Sequence, residues 1–189
     1  MAAESPASPH AGARADVRAG RIDDAQALAE LAALTFPLAC PADMPAADQR
    51  AFIAAHLTAE HFAGHLSTAG HLVIVAEDAG RLDGYTLTLV GEPLDPELSA
   101  VVADPVSTAY LSKCYVHPRA QGSGLAGRLM AATLDAARAA GAVQIVLGVN
   151  GQNARAQAFY RRAGFAVAGE RTFTVGRRVE RDLVLSRTL

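Results

Sequence analysis

The segment that most restricts this chain is Val116-His117-Pro118-Arg119-Ala120-Gln121-Gly122-Ser123-Gly124. It lies between a strand-like run at 108–116 and an Ala-rich, helix-like run at about 124–140. A strand that passes into a helix through glycines exposes several unpaired N–H groups at the positive end of the helix. Such a place holds anionic oxygens. Gly122 and Gly124 let the backbone come close to a phosphate with no Cβ in the way. Arg119 or Arg128 adds charge there or simply meets solvent. Taken alone, the segment reads equally as a tight turn with no ligand. Gly122-Ser123-Gly124-Leu125-Ala126-Gly127 also matches G-x-G-x-x-G, the dinucleotide fingerprint. That fingerprint needs an acid about 20 residues on, at the end of the next strand. Here the next strand ends Leu147-Gly148-Val149-Asn150 and offers none. Too little chain follows for a doubly wound domain.

Composition narrows the rest. The chain has 189 residues, 51% hydrophobic and 19% charged, which suits one globular domain with a full core. A formal charge of -2 supplies no basic field, so no nucleic-acid partner is expected. No apolar run approaches the ~20 residues that span a bilayer, and no charged n-region precedes an apolar stretch at the start. No membrane association is expected. Cys40 and Cys114 lie far apart and suggest no disulfide, which makes a reducing cytoplasm the default location. Residues 1–13 carry almost no large apolar side chain and read as a disordered tail, leaving 14–189 as the domain.

Periodicity gives the order of elements. An edge strand is expected at 15–18, then Asp23 and Asp24 at a helix start. Leu28, Leu31 and Leu34 share one face of a helix over 25–36, which Pro37 ends. Further helices are expected at 47–57 and, capped by Thr58, at 59–69. Strands at 72–76 and 84–90 flank a turn over 77–83, and 91–107 is a loop. A strand at 108–116, the glycine turn, a helix at 124–140, a strand at 143–149, a helix at 153–163 and two strands about Gly176 follow. This is a single mixed α/β domain.

Two motifs in the second half resemble a known family. Val116-His117-Pro118-Arg119-x-x-Gly122-x-Gly124 is similar to the V-x-P-x-x-[QR]-x-x-G-x-[GA] region of the GCN5-related N-acetyltransferases, read with Arg119 at the [QR] position. Asn153-x-x-Ala156 leading to Phe159-Tyr160-x-x-x-Gly164-Phe165 resembles their N-x-x-A-x-x-F-Y-x-x-x-G-F segment. Leu111-Ser112-Lys113-x-Tyr115-Val116, Leu147-Gly148-Val149 and Phe173-x-x-Gly176 followed by Asp182 resemble the PaiA-like branch, which includes polyamine acetyltransferases. The resemblance implies a mixed sheet with helices on both faces. It implies acetyl-CoA in a splay between the parallel strands 111–116 and 143–149. The backbone of Cys114, Tyr115 and Val116 would pair with the pantetheine arm. The turn from Arg119 through Gln121, Gly122, Ser123, Gly124 and Leu125 to Ala126 would take the pyrophosphate. Asn153 would hydrogen-bond the pantetheine, and Tyr160 would stand near the sulfur. The family also implies a monomer or homodimer.

Acetyl transfer needs a neutral amine, a donor to the oxyanion and a proton for the departing thiolate. Tyr160 suits the last of these. A free Tyr lies about 1.5 pKa units above a thiol, so transfer is uphill by ~2 kcal/mol and the hydroxyl acts first as a hydrogen-bond donor. The base has no such candidate. Where relatives carry Glu, this chain has Tyr110 on the strand before the turn and Gly148 five residues before Asn153. Asp83, Glu92, Asp95, Glu97 and Asp104 fall between Arg81 and Lys113 with no intervening cation. That span either borders the acceptor groove and attracts a small cationic amine, or is a solvated loop. His61 and His65 are four apart but lack a His-Glu-x-x-His pattern, so no metal is expected. Arg161-Arg162 is a solvated face or a contact for the CoA 3′-phosphate. Cys114 is not read as a nucleophile. The expected activity is acetyl-CoA-dependent N-acetylation of a small-molecule primary amine. The alternatives are acetylation of a protein N-terminus or lysine, and a non-catalytic acyl-CoA-binding protein.

Overall fold

Strands β1 (Asp16–Ala19), β2 (His71–Asp78), β3 (Arg81–Leu89), β4 (Thr108–Val116), β5 (Gln144–Asn150), β6 (Ala166–Val175) and β7 (Arg178–Thr188) form one sheet in the order β1-β2-β3-β4-β5-β7-β6. The structure is a computed structural model that describes residues 15–41, 43–175 and 178–189, with side chains described except at 173–175 and 178–180. Every neighbouring pair is antiparallel except β4 and β5, which run parallel.

Alternation along β2 and β3 sorts side chains to two faces. Val73, Val75, Tyr85 and Leu87 meet Leu28, Leu31 and Phe36 of α1 (Ala25–Ala39) and Phe62 of α3 (Ala59–Ser67). Ile74 and Ala76 point the other way, onto Leu125 and Leu129 of α5 (Leu125–Ala139). Buried hydroxyls of Thr86 and Thr133 bond at 2.7 Å across that second interface. Helices therefore cover both faces, as the resemblance implied. Helix α2 (Ala46–His56) lies against the end of α1, where Phe36 and Phe52 stack at 4.6 Å. Helix α6 (Ala154–Arg162) adds Phe159 and Tyr160 to the α5 side.

Three expectations change. Pro37 does not end α1, which runs on to Ala39. A proline lacks only its own N–H, and the buried, stacked Phe36 holds the last turn in place. The turn at 77–83 is narrower than expected, because Ala79 and Gly80 both take positive φ and close a tight hairpin. The 91–107 loop contains a short helix, α4 (Pro96–Ser99), whose first turn is capped by Asp95. The expected tail at 1–13 and the turn residue Gly176 lie outside the described residues. Among the described residues no helix is long and apolar enough to cross a membrane.

Gly84 sets how closely α5 approaches the sheet. A Cβ there would stand 2.7 Å from Cδ1 of fully buried Leu129 and 3.1 Å from the Tyr115 carbonyl oxygen. Gly84→Val should cost about 1–3 kcal/mol of stability by overpacking. Urea denaturation measures this, and an unchanged midpoint would contradict the close approach.

Candidate active site

The parallel ladder between β4 and β5 is short. It joins Thr108 to Gln144, Ala109 to Ile145 and Tyr110 to Val146, and stops. Beyond it each strand follows its outer neighbour: β4 stays with β3 as far as Val116, and β5 stays with β7 as far as Asn150. The inner edge of β4 from Leu111 onward thus lacks a strand partner.

A bulge then re-sorts the side chains of β4. Leu87 pairs with Lys113 and Thr88 with Leu111, so Ser112 is an extra residue. The bulge shifts alternation by one. Tyr110, Lys113 and Tyr115 share the α1 side, with Leu89, Leu87 and Tyr85 opposite them. Leu111 and Cys114 share the α5 side.

Two cavities meet at the gap. The larger, about 880 Å³, lies between α5 and α6 and is floored by Cys114, Tyr115 and Val116. The smaller, about 330 Å³, lies under the end of α1 and α2 and reaches Tyr110, Lys113, Gly148, Asn150, Arg171 and Asp182. Cys114, Tyr115, Asn153, Ala156 and Tyr160 line both.

Gln121, Gly122, Gly124, Leu125 and Ala126 line the larger cavity, together with Cys114, Tyr115, Val116, Asn153 and Tyr160. Gly122 and Gly124 both take positive φ, near +80°, which wraps the chain into the start of α5. Within the described residues the N–H groups of Gly122, Gly124 and Ala126 donate to no protein acceptor. Arg138, Arg155, Arg162 and Arg187 also line this cavity, against one acid, Asp135. Unpaired N–H groups and a cationic rim are a donor set that fits a phosphorylated, anionic ligand.

Two expected residues are elsewhere. Arg119 pairs with the buried Asp83 and sends its N–H to His117 Nδ1, away from both cavities. The Ser123 hydroxyl donates to the Ala120 carbonyl at 2.7 Å and accepts from Leu125 N–H, so it braces the turn. Asn153 reaches the cavities but caps α6, its side-chain oxygen accepting from Ala156 N–H at 3.0 Å. Its amide NH2 is the part left for a ligand. Of the arginine pair, Arg162 lines the larger cavity, while Arg161 donates to Gln157.

None of the five acids between Arg81 and Lys113 lines either cavity. Asp83 holds Arg119, Glu92 holds His71, Asp95 caps α4, Glu97 binds Thr172 N–H and hydroxyl, and Asp104 takes the N–H of Val106 and Ser107. Sequence reasoning gave no role to Lys113, Arg171 and Asp182, which line the smaller cavity instead. Asp182 did carry a signal: it is in phase with buried Val184 on β7, so an acid falls on a buried face. Gly148 is explained by Arg171, whose guanidinium occupies the space a Cβ there would need. Arg171 in turn faces Asp182 at 3.4 Å. Among the described residues no three metal-ligating side chains gather; His61 bonds Thr58 and His65 bonds His71.

Burial dominates the electrostatics at the gap. It lifts the Tyr160 hydroxyl well above 10, with Cys114 and Tyr115 adding to the effect. It lifts the Cys114 thiol to about 11, partly offset by a hydrogen bond with Tyr160.

A family model described as the GNAT family of acetyltransferases matches residues 26–165. The chain belongs to that family. A GNAT N-acetyltransferase is an acyltransferase, and so is this protein. A protein of Mycobacterium tuberculosis that bears the name uncharacterized N-acetyltransferase is 38% identical over 166 residues, covering 88% of this chain and 98% of that protein. The crystal structure of PaiA N-acetyltransferase from Thermoplasma acidophilum, in complex with coenzyme A, shares the fold with a TM-score of 0.73 at 18% identity, over 92% of this chain and 98% of that one. A GCN5-related N-acetyltransferase from Rhodopseudomonas palustris gives 0.70 at 19%, over 96% and 100%. The GNAT spacing also corrects the register of the first motif. Counted from Val116 and Pro118, V-x-P-x-x-[QR]-x-x-G-x-[GA] falls on Gln121, Gly124 and Ala126, all of which line the cavity, and not on Arg119.

The raised thiols give a direct check. Cys40 is also lifted to about 11 by burial, from an ordinary 9.0. Two pKa units leave about 100-fold less thiolate. A more basic thiolate is also the better nucleophile, so both cysteines should react with Ellman's reagent at pH 8 about tenfold or more slower in the folded protein than in urea. Equal rates would contradict the burial.

Proposed function

We propose that this GNAT protein transfers the acetyl group of acetyl-CoA directly to a primary amine, with both substrates bound at once. One observation carries the proposal: two cavities of different lining adjoin where β4 and β5 part, and Tyr160 is among the residues that line both. The larger cavity has the donors for a phosphorylated cosubstrate, and the Thermoplasma relative was solved with coenzyme A. The smaller is sized for a small molecule.

Acetyl-CoA supplies an activated acyl thioester. The free edge of β4 at Cys114–Val116 receives the amide-bearing arm as an added strand. The N–H groups of Gly122, Gly124 and Ala126 take the pyrophosphate, and Arg162 adds charge at the rim. At the junction the neutral amine nitrogen bonds to the acyl carbon and gives up a proton to solvent, the carbon–sulfur bond breaks, the sulfur takes a proton from Tyr160, and solvent returns a proton to the tyrosinate.

Burial raises the Tyr160 pKa, which keeps the hydroxyl protonated but makes it a weaker acid. The same burial raises a thiol. Cys114, in contact with Tyr160, moves from 9.0 to about 11, so a thiolate in this place also holds its proton more tightly. Donor and acceptor are shifted in the same direction, so burial does not remove the hydroxyl's part as a hydrogen-bond donor to the departing sulfur. Asp182 is the carboxylate that lines the smaller cavity, through which the amine's proton leaves by way of solvent. Support for a purely cationic acceptor is lost, because each of the five acids at 83–104 is engaged elsewhere.

Tyr160→Phe removes the donor and keeps the ring. It should lower kcat about tenfold or more with KM for acetyl-CoA little changed, read by thiol release with a panel of primary amines. Wild-type turnover in the variant would overturn the role. Binding of acetyl-CoA without turnover on any amine would overturn transfer itself and favour a non-catalytic acyl-CoA-binding protein.

A further inference from the structure

The charges of the smaller cavity constrain the acceptor. Among its described lining residues the charged ones are Lys113, Arg171 and Asp182. Arg171 and Asp182 face each other, with side chains 10% and 8% exposed, and largely cancel. Lys113 does not cancel. Among the described residues its ammonium has no carboxylate within ion-pair distance and donates only to the Ser112 hydroxyl, at 3.3 Å.

The surroundings of Lys113 do not compensate it. His65, which senses the Lys113 charge, is neutral: burial first, then Lys113 itself, pushes it down to about 4. Glu92 lies beyond, and its carboxylate is bound to His71. Burial pulls the Lys113 pKa below 10.5, the direction expected of a cation short of water and of a counter-charge. The bulge at Ser112 is what turns this side chain to the cavity, with Tyr110 and Tyr115. A half-buried cation directed into a cavity without a counter-charge is costly unless a ligand completes it.

We propose that Lys113 receives a carboxylate of the acceptor, so that the acceptor is an amine that also carries a carboxylate: an amino acid or a similarly small amino-carboxylate. This rests on the N-acetyl transfer reading above. The amine end lies at the junction by Tyr160, and the carboxylate end lies at Lys113. A polyamine would instead bring a second ammonium against the lysine. The volume of about 330 Å³ admits a free amino acid.

The test is acetyl transfer to a set of amino acids, each matched with its carboxamide and its decarboxylated amine. The carboxylate form should exceed its carboxamide in kcat/KM by about tenfold or more, chiefly through KM, since a charge-assisted contact is lost. Lys113→Met should collapse that ratio toward one, and Lys113→Arg should restore it. Thermal stabilisation by CoA verifies that each variant is folded. Carboxamides or decarboxylated amines used as well as amino acids, or a ratio that survives in Lys113→Met, overturn the proposal. Turnover of polyamines or peptide N-termini with no amino acid accepted overturns it while leaving acetyl transfer intact. No turnover on any amine, with acetyl-CoA still bound, overturns the transfer reading beneath it.

Discussion

The hydrogen-bond ladder between β4 and β5 ends after three pairs, and the rest of the site depends on that ending. Had it continued, the backbone of Cys114–Val116 would be satisfied within the sheet and no added strand could bind. The strands part because each is held by its other neighbour. β5 pairs with β7 along its whole length, and β4 pairs with β3 to its end. The sheet twists, so two halves anchored on their outer sides diverge. The unpaired edge is tolerable because it borders a large cavity instead of a packed core.

The bulge at Ser112 is the second constraint. It changes which side chains of β4 look toward which helices, and so divides the labour of the strand. Cys114 is sent toward Tyr160 and α5. Lys113 is sent to the smaller cavity with Tyr110 and Tyr115. One inserted residue thus separates the side chains of β4 between the α5 side and the smaller cavity. Arg171 closes off that cavity by filling the space above Gly148 and reaching Asp182.

Much of this is readable in the order of residues. The strand-like run at 108–116 delimits β4, and Thr58 reads as a cap from its place before a helical pattern. Ten of the residues expected to hold the cosubstrate line the larger cavity, because a strand–glycine–helix junction fixes local geometry without distant help. Arg119 and Ser123 depart from expectation for a physical reason. Their side chains have partners nearby in space, Asp83 on β3 and the Ala120 carbonyl, that a linear reading does not weigh. The acidic span keeps to the loop reading for the same reason: its net charge is visible in the sequence, but not the local partner of each carboxylate. Lys113, Arg171 and Asp182 come from three strands and meet through the bulge and the β5–β7 and β6–β7 registers, so no local motif joins them.

The central claim is that the open edge of β4 is where the acyl donor binds. Backbone hydrogen exchange with and without acetyl-CoA tests it most directly. The account predicts slowed exchange at Cys114–Val116 and at the N–H groups of Gly122, Gly124 and Ala126, with β2 and β3 little altered. Protection confined to other parts of the sheet, or none at saturating acetyl-CoA, would contradict it.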